Sequence, residues 1–170
     1  MRLQTLFCTL AILSGAFLIS CDKNDDNEPE TEKTPTNFAE ISLAHIKAVE
    51  TAMHSNPITV SDGNNIYWEA GDIFVYRTGE GRYGKFEVQK IDPAANYKLT
   101  IQITNYAADG SVFLATNSVE IRGTYLCDLD IVTETSGTAT DDFHWNRLTS
   151  TNTMFDPKNG AKFVKYQFKS

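Results

Sequence analysis

The chain has 170 residues, with 22 acids against 15 lysines and arginines, and a formal net charge of −7. Hydrophobic residues make up 41%, enough for one continuous core in a domain of ordinary size. An acidic balance has no electrostatic footprint for nucleic acid or anionic lipid heads, so neither is expected as a partner.

Arg2 precedes a mostly apolar run from Leu3 to Phe17, which closes on Leu18-Ile19-Ser20-Cys21. A charged start, a short apolar stretch and a small residue have the form of a secretory signal. The run is shorter than the about 20 residues that a spanning helix needs. This pattern resembles a bacterial lipoprotein signal, which implies that residues 1–20 are removed and the Cys21 thiol is acylated. The acidic run Asp22, Lys23, Asn24, Asp25 and Asp26 is similar to the export signal of surface lipoproteins in Bacteroidota. The resemblance implies an outer-membrane protein held in the lipid bilayer by its acyl anchor and displayed at the cell surface. Two acyl chains suffice for stable anchoring.

Residues 22–37 carry six acids, two lysines, Pro29 and Pro35, and almost nothing to bury. With Cys21 they read as a disordered tether, 21–37, reaching at most about 55 Å. A single domain, 38–170, follows. Cys8 leaves with the signal and Cys127 stands alone, so no intramolecular disulfide is expected. Cys127 falls on the apolar face of a strand pattern and reads as a core residue rather than a reactive thiol.

The spacing predicts one helix over 38–55. Asn37 and Glu40 fit a capping box, Ile41, Ala44, Ala48 and Ala52 form a stripe, and Pro57 follows the stop. His45 and His54, nine residues apart, would lie on opposite faces of it as surface groups. Strands are predicted over 66–69, 72–78 and 82–91, the last two joined by the Gly-rich reversal Thr78 to Gly81. Alternation of Tyr97, Leu99, Ile101 and Ile103 with polar residues gives a half-buried strand, and Val112 to Ala115 another. The longest alternation puts Val119, Ile121, Tyr125, Cys127, Leu129 and Ile131 on one face, interrupted by Gly123. Either one bent strand or two would satisfy it. A loop over 133–140, a strand over 143–148, the Asn159-Gly160 turn and a strand over 161–168 complete the chain. Short strands at this spacing predict a mainly β fold, an antiparallel sandwich or barrel with one N-terminal helix.

Gly79, Gly81 and Gly84 match Gly-x-Gly-x-x-Gly, but strand residues follow where a dinucleotide fingerprint needs a helix. The hairpin Phe74 to Lys85, the Asp128-Leu129-Asp130 strand, the Asp142 to Trp145 segment and Asn159-Gly160-Ala161 are similar to parts of small secreted bacterial β modules. That resemblance implies a β fold and adds no chemistry.

Three kinds of chemistry are open. Exposed aromatics beside polar groups stack on sugars, and Trp68, Tyr83, Arg82 and Trp145 are the candidates for a glycan or protein ligand, among a wider set with Tyr67, Tyr76 and Phe143. Asp128, Asp130 and Asp142 offer hard oxygen ligands for calcium, weighed against the favoured reading of Asp128 and Asp130 as solvated outer-face residues. The competing class is a hydrolase assembled from Asp128, Asp130, Asp142 and His144, although no nucleophile elbow or zinc spacing supports it and no catalytic residue is assigned. A structural or inhibitory protein acting through an edge strand is the third class. The favoured reading is a non-enzymatic binder of a glycan or of an outer-membrane or secreted protein, with no cofactor required. The anchor has its own check. Cys21→Ser is expected to move the protein from the membrane fraction to the soluble one, and a mutant that still sediments with membranes would overturn the lipoprotein reading.

Overall fold

The structure is a computed structural model and describes residues 33–63 and 65–168. Cys21 and the run Asp22, Lys23, Asp25 and Asp26 lie outside the described residues. The domain starts earlier than the tether reading had it. Pro35 is buried, Thr36 donates to Glu40 through both its amide (2.8 Å) and its hydroxyl (3.0 Å), and the Lys33 carbonyl lies 3.1 Å from His45 Nε2.

The helix is much shorter than predicted. It runs as α1 (Leu43–Ala48), followed by a 3-10 turn (Glu50–Ala52). Its cap is Ser42, whose hydroxyl accepts the His45 amide at 3.3 Å, while His45 Nδ1 accepts the Ser42 amide at 3.1 Å. This is a capping box with histidine in the usual place of glutamate. Asn37 does accept the Glu40 amide, at 3.2 Å, but that pair closes a turn ahead of the helix. Ala44, Ala48 and Ala52 are exposed, and the buried stripe is Ile41, Leu43 and Ile46. His54 lies beyond the helix, bridging Phe163 through its backbone.

Eleven strands follow among the described residues. In chain order they are β1 (Ile58–Asp62), β2 (Asn65–Ile66), β3 (Ile73–Arg77), β4 (Tyr83–Asp92), β5 (Lys98–Tyr106) and β6 (Val112–Ile121), then β7 (Leu126–Asp128), β8 (Thr133–Thr135), β9 (Phe143–Arg147), β10 (Thr153–Pro157) and β11 (Lys162–Lys165). They form two antiparallel sheets, ordered β11-β3-β4-β5-β6 and β2-β1-β10-β9-β7-β8, with no closed barrel. The fold is a β-sandwich. The long alternation breaks at Gly123. β6 ends in the first sheet and β7 begins in the second, and a Cβ at Gly123 would sit 2.2 Å from the Asn96 carbonyl oxygen. Glycine is what lets the chain change sheets there. Ile131, predicted to share the apolar face, is 65% exposed because β7 has ended before it.

Between the sheets lies an aromatic core. Phe74, Tyr76, Phe86, Phe143, Trp145, Phe155 and Phe163 are all buried, and Phe143 and Phe155 stack with centroids 4.5 Å apart. β3 is buried on both faces. Its Phe74 and Tyr76 face this core, while Ile73 and Val75 face a second cluster formed with Ile41, Leu43 and Ile46. The helical segment therefore covers the outer face of the first sheet. One buried cation ties it down. Lys85 Nζ donates to the carbonyls of Phe38 (2.5 Å) and Ile41 (2.7 Å) and lies 4.6 Å from the Phe38 ring centroid. Tyr106 donates to the same Ile41 carbonyl at 2.5 Å.

Burial lowers the Lys85 pKa from 10.5 to about 8. Below about pH 8 both folded and unfolded chains hold the proton. Between about 8 and 10.5 the unfolded chain keeps it while the folded chain sheds it, so this group adds stability as pH rises through that window. Melting temperatures of the wild type are expected to climb between pH 8 and 9.5 relative to Lys85→Met. Parallel curves for the two proteins would contradict this.

Candidate functional site

Two places in the sandwich gather chemistry-bearing side chains. The first is a set of buried carboxylates where the β3–β4 hairpin meets the loops after β7 and before β9. Asp128, Asp130, Asp141 and Asp142 are 4%, 8%, 0% and 1% exposed, which corrects the reading of Asp128 and Asp130 as solvated outer-face residues. The cause is local. β7 stops at Asp128, and the 133–141 segment folds back so that the Thr140 hydroxyl donates to Asp128 Oδ2 at 2.7 Å. Asp128 Oδ1 accepts the amides of Asp130 (2.9 Å) and Ile131 (3.2 Å). Asp141 is held by Thr135 and Thr138.

Asp142 has the widest reach. Its Oδ1 accepts the Gly79 amide from the hairpin of the first sheet at 2.9 Å, and its Oδ2 accepts the Leu129 amide beyond β7 at 2.8 Å. Burial raises its pKa to about 7, the charges of Asp130 and Asp128 push the same way, and the two amides oppose them. Arg82 Nε donates to Asp130 Oδ1 at 2.7 Å, with the guanidinium stacked 3.9 Å from the centroid of the Phe113 ring. Asp130 Oδ2 is sealed from solvent without a donor. Nearby, Tyr76 donates to Asn105 at 2.6 Å and Asn105 donates to the Leu129 carbonyl at 2.5 Å, a second polar link between the sheets. Burial raises the pKa of the Cys127 thiol, in keeping with a core residue.

The second place is a groove of about 640 Å³ lined by β1, the Tyr67–Trp68 segment that follows β2, and β11. Trp68 and Phe74 form its floor, Ile58 and Val164 its apolar walls, and His54, Asp62, Tyr67 and Lys165 its polar parts. Tyr67 is 48% exposed and donates to Asp62 Oδ2 at 2.8 Å, which fixes its ring beside the opening. Lys165 is paired with Asp72 at 2.7 Å. The volume falls within the range of ligand pockets, and an apolar floor with a few polar groups is their usual lining.

The sequence candidates do not assemble as proposed. Trp68 is 3% and Trp145 0% exposed, so neither presents a ring face to a sugar. Trp145 donates its indole N–H to the Tyr97 carbonyl at 2.6 Å. Arg82 and Tyr83 line a separate cavity of about 310 Å³ with Tyr106 and Asp130. Asp128, Asp130 and Asp142 do come together, each with an oxygen within 4.8 Å of the others. His144 is half-buried, and among the described residues no hydrogen bond or ion pair joins it to those acids. Tyr67 carries the groove, yet it stood only in the wider aromatic set. Its signal is adjacency to Trp68, since neighbouring residues in an extended segment point to opposite sides. No protein-family model, curated protein or solved structure matches the chain.

The Asp142 bridge has a measurable cost. Asp142→Ala leaves the buried Leu129 amide without an acceptor, worth about 1–3 kcal/mol, and frees the part-buried Gly79 amide, which water can reach. Urea unfolding is expected to show a loss of about 1–3 kcal/mol. A loss below about 1 kcal/mol would mean that water replaces the carboxylate without cost.

Proposed function

We propose that this chain is a lipid-anchored surface protein whose β-sandwich binds a neutral glycan in the groove lined by β1, Tyr67, Trp68 and β11. The observation that carries this reading is the exposed Tyr67 ring, held by Asp62 beside an aromatic-floored groove. An aromatic face held in place offers contact area to the apolar side of a sugar ring, while His54, Asp62 and Lys165 offer hydrogen bonds to its hydroxyls. The acidic balance of the chain disfavours polyanionic glycans. Anchorage through Cys21 would hold such a groove at the cell surface, where polysaccharides are met.

The hydrolase alternative draws less support. Its acids are engaged by backbone amides and an arginine, and His144 stands apart from them. The test is binding of the full-length chain to a panel of neutral polysaccharides by affinity electrophoresis. Retardation by at least one of them is expected, weakened about tenfold or more by Tyr67→Ala, the equivalent of about 1.4 kcal/mol. Tyr67 is half-exposed, so the variant should still fold. No retardation by any polysaccharide, or retardation indifferent to Tyr67→Ala, would contradict the proposal.

A further inference from the structure

We propose that Asp128, Asp130 and Asp142 bind a calcium ion. This is independent of the glycan groove and uses none of its residues. Each carboxylate offers one oxygen, and the three oxygens lie within 4.8 Å of one another. Calcium takes oxygen ligands at about 2.4 Å in flexible geometry, so one ion can reach oxygens spaced up to about 4.8 Å. The donor set is all oxygen and holds no imidazole or thiolate, which favours a hard cation over zinc or copper.

A cluster of acids alone would not require an ion, because acids form structural networks. The second observation is Asp130 Oδ2. Its residue is 8% exposed, and this oxygen has no solvent contact and no hydrogen-bond donor, while its partner oxygen is taken by Arg82. A buried carboxylate oxygen without a partner is costly unless a cation supplies the missing interaction. Asp130 also lines the cavity of about 310 Å³ beside Glu80, Arg82 and Tyr83.

The experiment is isothermal titration of the EDTA-treated full-length chain with calcium chloride and, separately, magnesium chloride. The locating measurement is NMR of the Gly79 and Leu129 amides, which donate to Asp142. Calcium is expected to bind with one site at or below about 1 mM, the weak end for extracellular modules. It should raise the melting temperature and shift both amides, and Asp130→Asn should abolish all three effects. If that variant does not fold, the wild-type amide shifts decide alone. No calcium binding at about 1 mM, binding that leaves both amides unmoved, or binding of magnesium in preference to calcium would overturn the proposal.

Discussion

Asp142 accepts an amide from each sheet, Gly79 from the hairpin of one and Leu129 from the other, and the end of the sandwich is arranged around that carboxylate. Its backbone is engaged as well, with its N–H donating to the Cys127 carbonyl and its own carbonyl accepting the Lys158 amide, both at 2.8 Å. Sheets packed through apolar side chains can slide, because the hydrophobic effect has no direction. Hydrogen bonds to a buried carboxylate do have direction, and they set how the two sheets meet. Around this point the chain adds further polar ties, from Tyr76 through Asn105 to Leu129, and from Arg82 to Asp130. Close packing completes it. A Cβ at Gly84 would lie 2.4 Å from the Tyr76 hydroxyl, so only glycine lets that ring reach Asn105.

The rest of the sandwich is built on different terms. Beyond the carboxylates its interior is aromatic, with Trp68 stacked on Phe74 at 4.0 Å between centroids, and that floor extends to the groove under Tyr67. Rigidity and accessibility are thus separated. The polar network holds the sheets from within, and the groove opens between β1, the Tyr67–Trp68 segment and β11. A ligand on Tyr67 would meet a preformed surface, which lowers the entropy lost on binding.

Much of the fold was legible because its signals are local. The alternation of β5, the glycine turn between β3 and β4 and the Asn159-Gly160 turn before β11 each follow from a few neighbouring residues. β1 and β10 carry no such local signal, and they pair with each other, Ile58 opposite Phe155. Pro57 and Pro157 mark the start of one and the end of the other, where proline costs no ladder bond, yet each reads in sequence as a stop. The sequence pattern groups the three aspartates, but their burial is not legible in it. It depends on Thr140 reaching back to Asp128 and on Gly79 arriving from the other sheet, contacts 12 and 63 residues apart in the chain. Trp68 and Tyr67 show the same limit at short range. Alternation says that one turns inward, and only the packing of Phe74 and Phe155 against Trp68 says which.

Native-state hydrogen exchange of the Gly79 and Leu129 amides tests most directly whether Asp142 joins the sheets. Both should exchange only through global unfolding, with the same free energy as the slowest core amides of β4 and β5. Exchange of either amide orders of magnitude faster than that core would show that the carboxylate does not hold it, and the account of how the two sheets are fixed would fail.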